Sequence, residues 1–400
     1  MNPIATSRGT EMILFRGVLE AIVFFQFFVS LGSTMLSDFT VLTAAAAFVS
    51  TSMAVLLRPQ DRTPKASLPR SSVVVAAVLT GILSTFFVLL INWRIFDIYW
   101  PTSLLGMVTQ ISHGRFPASF VGIPSLAANY HQGFPIIAGT LSYYGGINTH
   151  AAVYFSMLIL FFAGSLLGHF LILHLTKSTK MAFLYFLTFI LATSFPQFDV
   201  WPHISNTLGS YSYVSLIECM ASNSWLLSQI VLLLLLFRMG SIMGGETKSP
   251  TKNWIAIALL VLSAITVNAT LFSILAMAGL PTLMFIELQR KSEGFAASLR
   301  NLSLSAVILG AIYYIPRHIP SALMRADGYE FPDLKIRYLV SEQTFLGDIT
   351  EYLRYVGPIG LLGVLLASWT LVRRDGDIRR VLLSFVVITA FFFPILLEIT

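Results

Sequence analysis

Residues 72–101 read SVVVAAVLTGILSTFFVLLINWRIFDIYWP, an apolar run that ends in aromatic and charged side chains. The first 21 residues carry no charge and are long enough to cross about 30 Å of hydrocarbon as a helix. Arg94 and Asp97 follow at once, and a buried charge must be paired or functional. The stretch therefore predicts a membrane-spanning helix that opens into a polar segment at the membrane surface.

Composition places the whole chain in the same class. Its 400 residues are 56% hydrophobic with a mean hydropathy of +0.78, whereas soluble domains are about 45–50% apolar. Since a backbone in lipid must satisfy its hydrogen bonds internally, we predict an all-α polytopic membrane protein of about eleven spans. The predicted spans are 12–34, 39–57, 72–92, 148–174, 181–196, 216–237, 254–268, 270–287, 302–316, 355–372 and 381–400.

The distribution of basic residues predicts the orientation of these spans. The N-terminal segment through Arg16 and five linkers carry 18 of the 25 Lys and Arg residues; the linkers are 58–71, 175–180, 238–253, 288–301 and 373–380. By the positive-inside rule these segments and the N-terminus are cytoplasmic. The formal net charge of +6 then reflects contact with anionic lipid, and no nucleic-acid partner is expected. We expect a multi-pass protein of the bacterial inner membrane, which is the plasma membrane of the cell.

Three segments organise the chain. Residues 1–71 form an N-terminal helical hairpin, in which Arg16 and Glu20 have the spacing of an ion pair. Residues 72–175 form a module with a large outer loop at 93–147, and residues 176–400 hold the remaining membrane helices. The outer loops of this last part are 197–215 and 317–354.

The large outer loop contains two amphipathic stretches, Ser103–Ser112 and a second from about Gln132 to Tyr144. Pro101 suits the start of the first, and a Gly- and Pro-containing segment separates the two. We therefore predict two juxtamembrane helices joined by a turn-rich crossover, lying along the membrane surface.

Cysteine content and the chain ends add further expectations. Cys219 is the one cysteine in the sequence, so a disulfide framework and a cysteine metal site are excluded. The first span lacks a small-residue cleavage site, so we expect it to be retained. The last apolar run reaches Thr400 without a polar tail, which leaves a longer native chain open.

No phosphate-binding loop, zinc-protease motif, nucleophile elbow or dinucleotide fingerprint occurs in the sequence. The cytoplasmic linkers are also too short to build a nucleotide site, so no nucleotide cofactor is expected. An activated substrate would come from the membrane or from the outer compartment, and a lipid-linked donor meets that requirement.

Asp97 is the candidate catalytic residue. It lies just after the outer end of span three among aromatic side chains, where a carboxylate can act as a general base. Two alternatives stay open, namely an interfacial ion pair with Arg94 and a role as a metal ligand.

Basic and aromatic residues supply the candidate binding groups. Arg94, Arg115 and His131 suit a phosphate, although arginines beside a membrane also extend to lipid headgroups. His113 and Asp199 are candidate ligands of a divalent cation, Mg²⁺ or Mn²⁺, without a specific motif. The candidates for substrate contact, which equally suit an interfacial aromatic belt, are Tyr99, Trp100, Tyr130, Trp201, His203 and Tyr211.

The order of these elements resembles that of the GT-C-type membrane glycosyltransferases over about residues 72–175. In that family a helix rises to the outer face, an Asp follows it, two juxtamembrane helices come next, and a helix descends. The residues that carry the resemblance are Asp97-Ile98-Tyr99, His113-Gly114-Arg115-Phe116-Pro117 and Asn129-Tyr130-His131-Gln132-Gly133.

The resemblance implies a transfer reaction at the outer face of the membrane. A polyprenyl-phosphate sugar would be the donor, and the sugar would move to an acceptor in one displacement with inversion. Asp97 would be the base, Arg94, Arg115 and His131 would hold the donor phosphate, and Trp201 and Tyr211 would line the acceptor groove.

Two other classes of function remain open from the sequence. A transporter or flippase of a lipid-linked substrate would bind that substrate in the same outer cavity without a reaction. Charged or broken helices at mid-membrane would favour this hypothesis. A non-catalytic subunit of a membrane assembly would pack its helices against membrane-protein partners. Glu218 and the turn near Asn268 are the features that the transporter hypothesis would use.

Overall fold

The computed structural model describes part of the chain. The described residues are 3–33, 35–58, 74, 77–78, 81–82, 104–120, 123–127, 132–176, 178–180, 183, 223–243, 249–267, 334–336, 365 and 397–399. They form helices α1 Pro3–Gly32, α2 Phe39–Leu56, α3 Leu104–Ser112, α4 Gly133–Gly145, α5 Thr149–Thr176, α6 Asn223–Met243 and α7 Pro250–Val267.

Three of these helices are long and apolar enough to cross a membrane, over Ile13–Gly32, Phe39–Leu56 and Thr149–Leu173. They confirm predicted spans at 12–34, 39–57 and 148–174. Spans predicted at 270–287 and 302–316 lie outside the described residues, as do most residues of the spans predicted at 72–92, 181–196, 355–372 and 381–400. The total of about eleven therefore stays a prediction.

Two helices extend into the predicted linker 238–253. Helix α6, Asn223–Met243, continues six residues beyond the predicted end at residue 237. Helix α7 begins at Pro250, four residues before the predicted start. Proline suits the first turn of a helix, where its missing N–H costs nothing. Much of the predicted linker 238–253 is therefore helical.

The outward faces of the long helices are apolar. On α2 the exposed large side chains include Val41, Phe48 and Val55. On α5, Phe155, Ile159 and Phe162 are exposed at the spacing of one helix face. A helix that is apolar on its buried and exposed faces alike is typical of a membrane span. The helices thus expose the surface that lipid would cover.

One core joins most of the helices. Its larger cluster contains side chains from α1, α3, α4, α5, α6 and α7, with Phe24, Phe134 and Phe161 fully buried. A smaller cluster joins the adjacent ends of α1 and α2 to α3 and α4 through Val29, Phe39 and Ile111, among others. The N-terminal hairpin therefore shares its core with the helices that follow it.

Helices α3 and α4 confirm the two helices predicted in the large outer loop. They pack against each other, and both contact α5. The start of α4 is inserted deeply, because a Cβ atom added at Gly133 would lie 2.9 Å from Oε1 of Gln26 and 3.1 Å from side-chain carbons of Leu227 and Val267. α4 therefore lies across the ends of α1, α6 and α7, with its other end beside α2.

Two short antiparallel strand pairs add to the predicted all-α architecture. Strand β1, Ser119–Phe120, pairs with β2, Ile123–Ala127, within the crossover between α3 and α4. Strand β3, Leu334–Ile336, pairs with β4, Leu397–Ile399. Because β4 is extended, the helix predicted over 381–400 is wrong at Leu397–Ile399. Strand β3, which pairs with β4, lies in the predicted outer loop 317–354.

Replacing Gly139 by alanine is expected to loosen the contact between α3 and α4. A Cβ atom there would lie 2.5 and 2.6 Å from Cγ2 and Cβ of Ile111 and 3.3 Å from the carbonyl oxygen of Val108. Overpacking of this kind costs about 1–3 kcal/mol. We expect a lower free energy of unfolding in mixed detergent micelles. Gly17→Ala is the control, since nothing lies within 4 Å of its Cβ position. An equal effect of both changes would contradict the prediction.

Candidate functional site

The turn after α3 positions two of the predicted binding residues, His113 and Arg115. Gly114 has a φ of 74°, a conformation that favours glycine. The N–H of Gly114 donates to the carbonyl of Ile111 at 2.9 Å, and the N–H of Arg115 donates to that of Gln110 at 3.0 Å. This pair of bonds is the Schellman motif, which satisfies the last carbonyls of a helix. The turn is therefore fixed by the backbone.

The imidazole of His113 is oriented by the helix that it follows. Its Nδ1 lies 2.7 Å from the carbonyl oxygen of Thr109 and 3.3 Å from Oγ of Ser112. Because a carbonyl oxygen only accepts, Nδ1 carries a proton in this bond. The ring is exposed, and Nε2 is the nitrogen through which it would bind a phosphate or a metal.

Arg115 is exposed next to a short connection that Gln110 closes. The side-chain amide of Gln110 donates to the carbonyl of Ser119 at 2.7 Å, and its Oε1 accepts from the backbone N–H of Ser119 at 2.8 Å. These bonds hold the end of α3 against β1. Arg115 thus projects from an anchored connection, which limits the backbone entropy lost when its guanidinium binds an anion.

An aromatic and hydroxyl cluster lies beside this turn and joins α4 to α2. A Cβ atom at Gly114 would lie 3.4 Å from Cε2 of Tyr143. The Tyr143 hydroxyl lies 3.1 Å from Oγ1 of Thr40, and the Tyr144 hydroxyl lies 2.6 Å from Oγ1 of Thr43. The two tyrosine rings meet edge to face at 5.0 Å between centroids. The cluster fixes α4, and with it the turn, to the first helical hairpin.

The other predicted site residues lie outside the described part of the chain. They are the proposed base, two phosphate-binding residues, the substrate contacts and one metal candidate: Asp97, Arg94, His131, Tyr99, Trp100, Tyr130, Trp201, His203, Tyr211 and Asp199. Of the predicted set, the structure thus places His113 and Arg115 alone, one residue apart in the same turn. Among the described residues, no three His, Cys, Asp or Glu side chains come together as metal ligands.

A buried charged cluster lies at the opposite end of the helices, and we call it the Glu20 cluster. Both carboxylate oxygens of Glu20 accept hydrogen bonds from Arg238, through Nε at 2.7 Å and through Nη2. Nη1 of Arg238 donates to the carbonyl of Leu57 at 2.8 Å and to Oδ1 of Asn253 at 2.6 Å. Glu20 and Arg238 are fully buried. The cluster thus ties together α1, α6, α7 and the end of α2.

The sequence predicts that Glu20 pairs with Arg16 within α1, whereas the structure pairs Glu20 with Arg238 of α6. Arg16 is buried one turn before Glu20, with its guanidinium carbon 4.7 Å from the ring centroid of Phe237. Sequence reasoning missed Arg238 and Asn253, because it placed both in a cytoplasmic linker. The uninterrupted apolar run before Arg238 is the signal for a longer helix. Since Arg238 occupies both oxygens of Glu20, the cluster is structural.

An apolar groove runs between α1 and α2 and is closed by α4 and α5. Its volume is about 720 Å³. Small side chains make the room, including Gly17, Ala21 and Ala54, while Tyr144 lines one end and Arg58 the other. Among the described residues that line the groove, Arg58 alone is charged. We call this feature the α1–α2 groove.

The site therefore consists of an exposed His and Arg at an anchored turn, with aromatic hydroxyls beside them. This arrangement offers cationic and hydrogen-bonding groups at the end of the helices that the charge distribution predicts to face outward. Comparison with protein-family models, with curated protein sequences and with solved structures finds no match to this chain.

Proposed function

We propose that the chain is a membrane glycosyltransferase that moves a sugar from a polyprenyl-phosphate donor to an acceptor at the outer face. The observation that carries the proposal is the anchored turn at the end of α3, which presents His113 and Arg115 together. Arg115 suits the donor phosphate, and His113, which Gly114 alone separates from Arg115, suits a divalent cation beside that phosphate. The resemblance implies two juxtamembrane helices followed by a membrane helix, and the order of α3, α4 and α5 is compatible with that part of it.

The proposed reaction assigns a separate task to each group. Asp97 would accept the proton of the attacking hydroxyl while the acceptor oxygen bonds to the anomeric carbon. The bond from that carbon to the phosphate oxygen would break, and the lipid phosphate would leave with the electron pair. Arg115, with Arg94 and His131, would stabilise the negative charge that develops on the leaving phosphate. A divalent cation at His113 and Asp199 would supply further positive charge.

The alternatives use the same surface without bond formation. A transporter of a lipid-linked substrate would bind the phosphate at the turn and move it. A subunit of an assembly would bury the turn against a partner. The exposed positions of His113 and Arg115 leave both side chains accessible to a ligand from solvent or membrane, as the enzyme hypothesis requires.

Transfer of radiolabelled sugar from a panel of polyprenyl-phosphate donors tests the proposal directly. Membranes that contain the full chain are compared with membranes from cells carrying an empty vector. We expect transfer from at least one lipid donor and none from the corresponding nucleotide sugar. Absence of transfer from every lipid donor, with inserted and folded protein, would contradict the enzyme hypothesis. Movement of labelled donor across vesicles would then favour the transporter.

Replacing Arg115 by glutamine is expected to raise the KM for the lipid donor by about tenfold. The change removes one charge-assisted hydrogen bond to the donor phosphate. It leaves the turn intact, because the backbone N–H of residue 115 still donates to Gln110. Lys180→Gln is the control, since Lys180 is exposed in a predicted cytoplasmic linker. An equal rise in KM in both variants would show that net charge, rather than Arg115, sets donor affinity.

A further inference from the structure

We propose that the α1–α2 groove holds one acyl chain of an anionic phospholipid whose phosphate contacts Arg58. This site is distinct from the turn after α3 and does not depend on the proposed reaction.

The shape of the groove fits a thread-like occupant. Tyr144 at one end bonds to Thr43, and Arg58 at the other end lies 15 residues further along the chain, which is about 22 Å at helical rise. A volume of about 720 Å³ over that length gives a mean cross-section of about 33 Å². The groove is thus long and continuous, and it is wide enough for a hydrocarbon chain.

The lining and its surroundings favour lipid. Among the lining residues, Leu14, Val18 and Val55 are large apolar side chains that are more than half exposed. The groove therefore opens on the apolar surface that the bilayer would cover. Half of a 30 Å hydrocarbon core is about 15 Å, so a groove of this length accommodates an acyl chain that starts at one membrane surface.

The position of Arg58 indicates that the lipid headgroup is anionic. It is exposed just after the last turn of α2, where its backbone N–H donates to the carbonyl of Val55 at 3.2 Å. The basic residues Arg62, Lys65 and Arg70 follow in the same linker, on the side predicted to be cytoplasmic. Positive charge at this surface attracts anionic lipid. A phospholipid with net negative charge matches the groove and the arginine together, whereas a zwitterionic lipid matches the groove alone.

Lipid retention by the purified full chain tests the proposal. The detergent-solubilised protein is mixed with equal amounts of phosphatidylglycerol and phosphatidylcholine that carry identical acyl chains, and bound lipid is counted by native mass spectrometry. Two variants test the contact with the lipid headgroup and the contact with the acyl chain separately. Arg58→Gln removes the charge, with Lys180→Gln as its matched control. Gly17→Leu fills the groove, with Gly81→Leu as its control, since no atom lies within 4 Å of either glycine's Cβ position.

We expect the wild-type protein to prefer phosphatidylglycerol, and Arg58→Gln to reduce that preference by about fivefold. Gly17→Leu should reduce retention of both lipids, while the two controls behave as wild type. The Gly17 change favours helix formation, so loss of folding is not expected to mimic the result. Equal retention of both lipids by the wild type, undiminished retention by Gly17→Leu, or equal effects of Arg58→Gln and Lys180→Gln would each overturn the proposal.

Discussion

Replacing Arg238 by glutamine is expected to lower the free energy of unfolding by about 3–5 kcal/mol, which is the usual cost of breaking a buried ion pair from one side. The change leaves the Glu20 carboxylate buried without its cation. It also removes the donors that reach the carbonyl of Leu57 and Oδ1 of Asn253. Three parts of the fold, namely α1, the end of α2 and α7, lose their common partner on α6 at once. We therefore expect this to be the largest effect of any single substitution among the described residues.

The measurement is unfolding of the full chain in mixed micelles of mild detergent and dodecyl sulfate. Lys252→Gln is the matched control, because Lys252 is a partly exposed basic residue next to Asn253 on α7. We expect that control to change stability by less than about 0.5 kcal/mol. The double variant Glu20→Leu with Arg238→Met should be more stable than either single variant, because it removes both charges together. Equal effects of Arg238→Gln and Lys252→Gln would contradict a stabilising role.

The burial of Arg238 could not be predicted from the sequence. The positive-inside rule counts each basic residue as a marker of the cytoplasmic surface, and it counted Arg238 among the 18. In the structure Arg238 is fully buried, because Glu20 lies far away in sequence and at the same depth in the bundle. A pairing across 218 residues leaves no local pattern. The orientation rule uses composition near the ends of spans, whereas burial depends on tertiary contact.

The helices of the large outer loop were predictable for a local reason. The amphipathic stretches at 103–112 and 132–144 match α3 and α4 within a residue or two. Each helix is followed by a glycine with positive φ, Gly114 and Gly146. Such glycines commonly end helices, and both can be read from the sequence. The short strands β1 and β2 lie in the crossover, where the sequence indicates turns without specifying pairing.

The candidate site was only partly predictable. Sequence reasoning selected His113 and Arg115 by residue type, and the structure shows that one Schellman turn carries both. It did not identify the α1–α2 groove, because the groove is made by small residues on two helices that pack against α4 and α5. The missing side chain of Gly17 leaves space for a groove only where the neighbouring helices pack around it.

Replacing Asp97 by asparagine is expected to reduce kcat for sugar transfer by about 100- to 10,000-fold, the range that general-base catalysis supplies. Asparagine keeps the size and the hydrogen-bonding capacity of the side chain but cannot accept the proton of the attacking hydroxyl. The KM for the lipid donor should change little, because the phosphate is assigned to Arg94, Arg115 and His131. The measurement is the radiolabelled transfer assay with the donor that the panel identifies.

Asp38→Asn is the matched control for this change. Asp38 is an exposed aspartate at the end of the bundle that carries α3 and α4, where its carboxylate caps α2 by accepting from the N–H of Val41 at 3.0 Å. Asparagine caps a helix as well as aspartate does, so transfer should continue unchanged. If Asp97→Asn retains kcat, Asp97 is not the base, and the ion pair with Arg94 becomes the better account of it. If kcat falls while the donor KM holds, proton transfer and phosphate binding reside in different residues, which is the separation that the proposed mechanism requires.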